Sequence, residues 1–227
     1  MFESKYSKVL TVILVIVIVA ILGLVVFLGY DWYKKYFLEN EALEFVENYS
    51  ENTDKQNDEN KNNSENDGNK GNASNPIDDI TSVGNSQSNS SKKLPQYKGF
   101  NVVGTIQIPA INLNYPILET VSKNSIETSV AMLYGAGINK VGNTVIIGHN
   151  YRNGLFFSNN KKLKNGDKIY ITDNDGNKLT YTIYNKFETS PDDADFYNRD
   201  TNGKPEITLS TCTDDSKARL IIFAKTE

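Results

Sequence analysis

Thiol chemistry is nearly absent from this chain, which has one cysteine, Cys212, in 227 residues. A lone cysteine excludes an internal disulfide and leaves an intermolecular bridge, a buried inert thiol or a reactive one. Imidazole is equally scarce, His149 being the only histidine, and arginine occurs only at Arg152, Arg199 and Arg219. Positive charge is in deficit, with 24 Lys and Arg against 28 Asp and Glu for a net charge of -4. The basic residues are scattered and form no stripe with interleaved aromatics, which argues against nucleic acid as a partner. The length leaves room for one or two domains.

One long apolar run stands out. Residues 9–28, VLTVILVIVIVAILGLVVFL, carry no charge, and at about 1.5 Å per helical residue they are long enough to cross a hydrocarbon core. The run exceeds the apolar segment of a cleaved signal peptide, and no small-x-small site follows it closely, so it reads as a retained anchor. Lys5, Lys8 and the terminal amine on one side face Lys34 and Lys35 on the other, and the charge rule leaves the orientation nearly tied. Tyr30, Trp32, Tyr33, Tyr36 and Phe37 suit the headgroup level, and the spacing of Trp32, Tyr36, Leu43 and Val46 predicts a helix continuing to about residue 49.

From 50 to 75 the one apolar residue is Ala73, and the polar character persists to about 93. Such a stretch has nothing to bury against the entropy of ordering. The chain is therefore divided into a tail (1–8), an anchor (9–28), a juxtamembrane helix (29–49), a disordered linker (50–95) and a folded domain (96–227).

The last segment is mostly β. VVGTIQI (102–108) and NTVIIGH (143–149) read as strands, KIYIT and LTYTIYNKF as a hairpin around DNDGNK, and EITLS and RLIIFA as another around TCTDDSKA. Pro109 and Pro116 bracket INLNY, which fits only an edge or a turn. Residues 122–133 look helical, with Ser122 as a cap. Many short strands joined by tight turns predict a closed barrel or a sandwich.

His149 leaves one of these strands as Cys212 leaves another, and Arg219 opens the return strand. At a common rim the three supply a nucleophile, a proton carrier and a cationic donor. With reference pKa values of about 8.5 and 6.5, the thiolate–imidazolium form is about 1% of the neutral pair, and a cation beside the sulfur favours it. For Arg219 the alternative is an ion pair with Asp214 or Asp215 across the hairpin. Ser210 and Thr211 are candidates for orienting substrate, although strand propensity accounts for them equally well.

These motifs resemble a known family. TLSTC followed by an arginine at the start of the last strand, with VIIGH upstream and GTIQIP opening the domain, is similar to the sortases, the cysteine transpeptidases of Gram-positive cell surfaces. The likeness runs from about 102 to the end and mixes class B-like and class D-like features. It implies a closed eight-stranded β-barrel with one or two short helices, and catalytic roles for His149, Cys212 and Arg219. It also implies a catalytic domain outside the cell, hence a cytoplasmic amino terminus. The implied partners are surface proteins with a carboxy-terminal LPXTG-like sorting signal and an amine of the peptidoglycan precursor. No cofactor and no metal are called for, since Glu119, Glu188, Asp192, Asp193 and Asp195 read as a solvated loop and not as a ligand set. A hydrolase using the same Cys-His pair, and a non-catalytic binding domain with Cys212 buried, are the competing readings.

Overall fold

The computed structural model describes residues 5–62 and 94–226. The chain divides into two compact units, Met1–Glu44 and Phe45–Glu227.

The first unit lies on helix α1 (Lys5–Asn62), which includes the apolar run. The best 18-residue window has a mean hydropathy of 3.5 with none of it buried. Side chains such as Val26 and Phe27 are about 70% and 72% exposed. By length and composition the helix can cross a membrane, where acyl chains would cover these side chains while its backbone groups bond internally.

The helix does not stop near 49. It continues to Asn62, where a linker from residue 50 was expected, and 63–93 of that linker lie outside the described residues. Composition missed this because only a few side chains carry the docking. Tyr49 is 5% exposed and belongs to a cluster with Tyr97, Val102, Leu118 and Ala131, against which Phe45, Val121 and Ile126 also pack. Phe45 meets Tyr97 edge-on at 5.1 Å. The Tyr49 hydroxyl donates to Asn174 Oδ1 at 2.5 Å, and Asn174 Nδ2 donates to the Val102 carbonyl at 3.1 Å. Burial, and then the nearby Asp173 and Asp175, push the Tyr49 phenol far above its ordinary value and keep it a neutral donor.

The second unit is a barrel. Its strands are β1 (Gln96–Tyr97), β2 (Phe100–Ile108), β3 (Leu113–Leu118), β4 (Val130–Tyr134), β5 (Gly142–Ile147), β6 (Lys168–Asp173), β7 (Lys178–Thr189), β8 (Pro205–Cys212) and β9 (Arg219–Thr226). Their order is β1-β2-β3-β4-β5-β8-β9-β7-β6, and β6 pairs back on β2. Eight strands therefore form a closed ring, and the two-residue β1 is an outer addition. Closure leaves the ring no open edge. Against β3, strand β2 shifts register between Val102 and Gly104. A Cβ on Gly104 would sit 2.7 Å from the Thr172 carbonyl oxygen, so the close strand approach requires glycine.

The period-two pattern is realised in β7, where Tyr181 and Ile183 turn inward. Ile106, Ile117, Ile146, Ile169, Ile171 and Ile207 fill the interior. The DNDGNK hairpin is held by the Asp173 carboxylate, which accepts from the Asp175 and Asn177 amides at 3.0 and 2.9 Å.

Two local expectations change. The helix predicted over 122–133 is only α2 (Lys123–Thr128), closed at its start by a capping box between Ser122 and Ser125. Val130 onward is strand, its β-branched and apolar side chains being needed in the barrel wall. INLNY lies largely within β3, but Pro116 precedes the only β3–β4 pairs, Ile117 and Leu118, so its missing N–H costs no bond on that side.

Candidate active site

Strands β5 and β8 run parallel in register, Ile147 opposite Ser210. Continuing that register by two residues sets His149 level with Cys212. The turn is fixed by two bonds between the strands: the Gly148 amide donates to the Ser210 carbonyl at 3.3 Å, and the Thr211 hydroxyl donates to the Gly148 carbonyl at 2.7 Å. Gly148 has no room for a side chain, since a Cβ would lie 2.9 Å from both Phe157 and Val130. Across the β8–β9 hairpin Cys212 pairs with Arg219, and Arg219 Nη1 approaches the sulfur to 3.2 Å. Asp214 is engaged with Lys161 at 2.5 Å and Asp215 accepts from the Thr213 hydroxyl at 2.6 Å, so the expected alternative of an Arg219 ion pair with Asp214 or Asp215 gives way to the thiol contact.

His149, Cys212, Arg219, Ser210 and Thr211 all line one cavity of about 280 Å³, whose apolar wall includes Ile126, Leu133, Ile147, Phe196 and Tyr197. Cys212 and Arg219 are half-buried. His149, also half-buried, lies against Tyr151 with ring centres 4.8 Å apart. Its pKa is lowered from the ordinary 6.5, chiefly by burial, and the charge of Glu127 opposes this. The imidazole is therefore biased toward its neutral form. Ser210 and Thr211 are almost wholly buried, at 6% and 4% exposure. The Thr211 hydroxyl is committed to the strand below His149, which makes it a positioning group as well as part of the cavity wall.

Two contributors escaped the sequence reading. Asn150 Nδ2 donates to the Cys212 carbonyl and to Asp214 Oδ1, both at 3.0 Å, tying the loop after His149 to the loop after Cys212. Arg199 pairs with Glu206 at 2.9 Å, bonds Asn143 and Thr208, and stacks over Phe223 at 3.8 Å. Asn143 in turn donates to the carbonyls of Phe196 and Tyr197 at 3.0 and 2.9 Å. This network anchors the β7–β8 loop, holding Phe196 and Tyr197 over the cavity. The scarcity of arginine was the one available signal for Arg199. A larger cavity of about 530 Å³ lies beside Arg199 and the start of β5, and its wall contains none of His149, Cys212 and Arg219.

The carboxylates noted in the sequence are dispersed. Asn101 donates to Glu119 at 2.9 Å, Glu188 lines a second cavity that Cys212 also borders, and Asp193 accepts from the Thr189 hydroxyl. That bond, first, and then the Asp195 amide hold Asp193 below its ordinary pKa.

The family model for the sortase domain matches residues 106–227. The chain belongs to the sortase family. It is 33% identical over 124 residues to sortase A of Bacillus anthracis, covering 53% of this chain and 58% of that protein. Among solved sortases, sortase A from Corynebacterium diphtheriae superposes with a TM-score of 0.52 at 30% identity, covering 56% of this chain and 61% of that one. Sortase C of Clostridium perfringens with its carboxy-terminal cell wall sorting motif matches at a TM-score of 0.50 and 26% identity, covering 56% and 71%. The chain thus spans less than two thirds of the Bacillus anthracis and Corynebacterium sortases. The family model begins inside β2, so the shared sortase region contains the barrel strands that carry His149, Cys212 and Arg219.

The tie beneath His149 can be tested. Thr211→Val keeps the side-chain shape but leaves the buried Gly148 carbonyl without its donor. The expected loss of stability is about 1–3 kcal/mol, read by thermal or denaturant unfolding.

Proposed function

We propose that this chain is a membrane-anchored cysteine transpeptidase. It cleaves an LPXTG-like sorting signal after the threonine, holds the acyl group as a thioester on Cys212 and passes it to an amine of a cell-wall precursor. The observation that carries this reading is the Arg219 guanidinium 3.2 Å from the Cys212 sulfur, in a cavity whose wall also contains the only histidine.

In the first half-reaction the Cys212 thiolate attacks the carbonyl of the Thr–Gly bond. Negative charge passes from sulfur to the carbonyl oxygen, where the Arg219 fork can donate. His149 as imidazolium gives its proton to the departing glycine nitrogen as the C–N bond breaks. In the second, the acceptor amine attacks the thioester carbonyl and loses a proton to the now neutral His149, and the sulfur leaves as thiolate. Ser210 and Thr211 form the cavity wall against which the substrate chain lies.

The signal-bearing partner is inferred from the family and from the Clostridium perfringens sortase C solved with the C-terminal cell wall sorting motif. By analogy with the family, the reading puts the catalytic domain outside the cell and residues 1–8 in the cytoplasm. The exposed apolar helix supports the anchor. The half-buried thiol on a cavity wall favours chemistry over a binding domain with an inert core cysteine.

Mass spectrometry of the full chain in detergent micelles, incubated with a panel of sorting-signal peptides, tests the proposal. The expected result is an acyl adduct on Cys212 that an added amine discharges into a new amide. An adduct discharged only by water identifies a hydrolase, and no adduct with any peptide overturns the reading.

A further inference from the structure

Helix α2 stands between two parts of the molecule that lie far apart along the chain. On one side it faces the docked stretch of α1. Val121, just before its cap, and Ile126, at its fourth position, form a hydrophobic staple pair, and both pack on the cluster that Tyr49 completes. On the other side it faces the chemistry. Ile126 is also in the wall of the cavity that holds His149 and Cys212, and the charge of Glu127 acts on His149 and on Tyr151. A six-residue helix cannot hold its own place, since so short an element is marginal without tertiary contacts. Its orientation is set by what the staple rests upon.

We propose that Phe45 and Tyr49 are positioning residues for the substrate cavity: by completing the cluster under Val121 and Ile126 they hold α2 where Ile126 walls the space beside Cys212. Phe45 fills the cluster through its edge-on contact with Tyr97 at 5.1 Å, and Tyr49 locks the docked helix through Asn174, which is itself bonded to the β2 backbone. The two residues touch neither the reacting atoms nor the cavity, so they act on fit and not on the chemical step. The inference deepens the transpeptidase reading and rests on it for its substrate.

The test uses the full chain in detergent micelles. Two readouts are followed: KM and kcat on a soluble sorting-signal peptide, and the rate of Cys212 alkylation by N-phenylmaleimide, which needs an apolar cavity, relative to iodoacetamide, which does not. Phe45→Ala with Tyr49→Ala is expected to raise KM about tenfold with kcat changed less than about twofold, the range in which a hydrophobic pocket discriminates. The alkylation ratio falls with it. Ile126→Ala gives a similar change, and adding it to the double variant changes little further, because all three act through one helix. Phe45→Leu, with Tyr49 and its bond to Asn174 kept, leaves both readouts near those of the unaltered protein. Unchanged KM and an unchanged ratio, with only a lower melting temperature, would show plain structural support and overturn the proposal. If the alanine pair does not fold, Phe45→Ala and Ile126→Ala, separately and combined, decide by the same criteria of a raised KM and non-additivity. A wild-type protein that is alkylated but cleaves no peptide fails the transpeptidase reading alone, and the alkylation ratio still decides this one.

Discussion

Cys212→Ala is expected to abolish acyl-adduct formation and peptide cleavage while changing folding stability by less than about 1 kcal/mol. The thiolate is the proposed nucleophile, and no second cysteine exists to replace it. The side chain is half-buried at the end of β8, with open cavity on its free side, so its removal leaves no sealed void in the core. The backbone there is held independently of the sulfur, by the β8–β9 ladder and by the Asn150 bond to the Cys212 carbonyl. Mass spectrometry and a cleavage assay read the first half of the expectation, and thermal unfolding the second. Residual cleavage above the uncatalysed rate would show that another group attacks the carbonyl. A large fall in melting temperature would show instead that the thiol is a packing residue, the reading in which it belongs to an inert core.

Much of this site was legible before any coordinates, and the reason is local. A strand end fixes where its last side chain emerges, so the runs NTVIIG and EITLS placed His149 and Cys212 at strand exits, and a two-strand hairpin brought Arg219 back beside the sulfur. Barrel closure was less accessible. The pairing of β2 with β6 joins residues far apart in sequence, with a tight approach at Gly104 that no alternation pattern announces. Asn150 and Arg199 were hidden because their partners, the Cys212 carbonyl and the Glu206 carboxylate, become neighbours only through β5–β8 pairing and loop return. The largest miss was at the helix end. A polar stretch after residue 50 looks unable to bury anything, and the composition test is sound for an average over many residues. The docking depends instead on Phe45 and Tyr49, with Thr53 buried just beyond. Thr53 is held by its own hydroxyl bonds to the Tyr49 and Ser50 carbonyls at 3.0 and 2.9 Å.

Arg219→Lys separates two roles that the 3.2 Å contact with the sulfur leaves combined. Lysine keeps the positive charge beside Cys212, so a purely electrostatic role predicts a small change. The fork that donates two parallel bonds is lost, so a role in gripping the carbonyl oxygen as charge develops predicts a fall in kcat/KM of about 100- to 1000-fold. We expect the larger loss, with the rate of Cys212 alkylation much less affected, because alkylation by iodoacetamide needs the thiolate and has no oxyanion to stabilise. His149→Ala is expected to fail differently. High pH still supplies thiolate, but nothing protonates the leaving amine, so turnover stays very low across the whole range. In the unaltered protein, burial lowers the His149 pKa and favours neutral imidazole. The acid limb of the kcat/KM profile therefore lies on the acid side of where an ordinary imidazole would place it, as protons are taken up by a pair that must carry one and not two. Steady-state kinetics from acid to alkaline pH on the three proteins distinguishes these outcomes. Near-normal transpeptidation by Arg219→Ala or by His149→Ala would remove that residue from the mechanism and leave Cys212 without the partner that its place at the barrel rim provides.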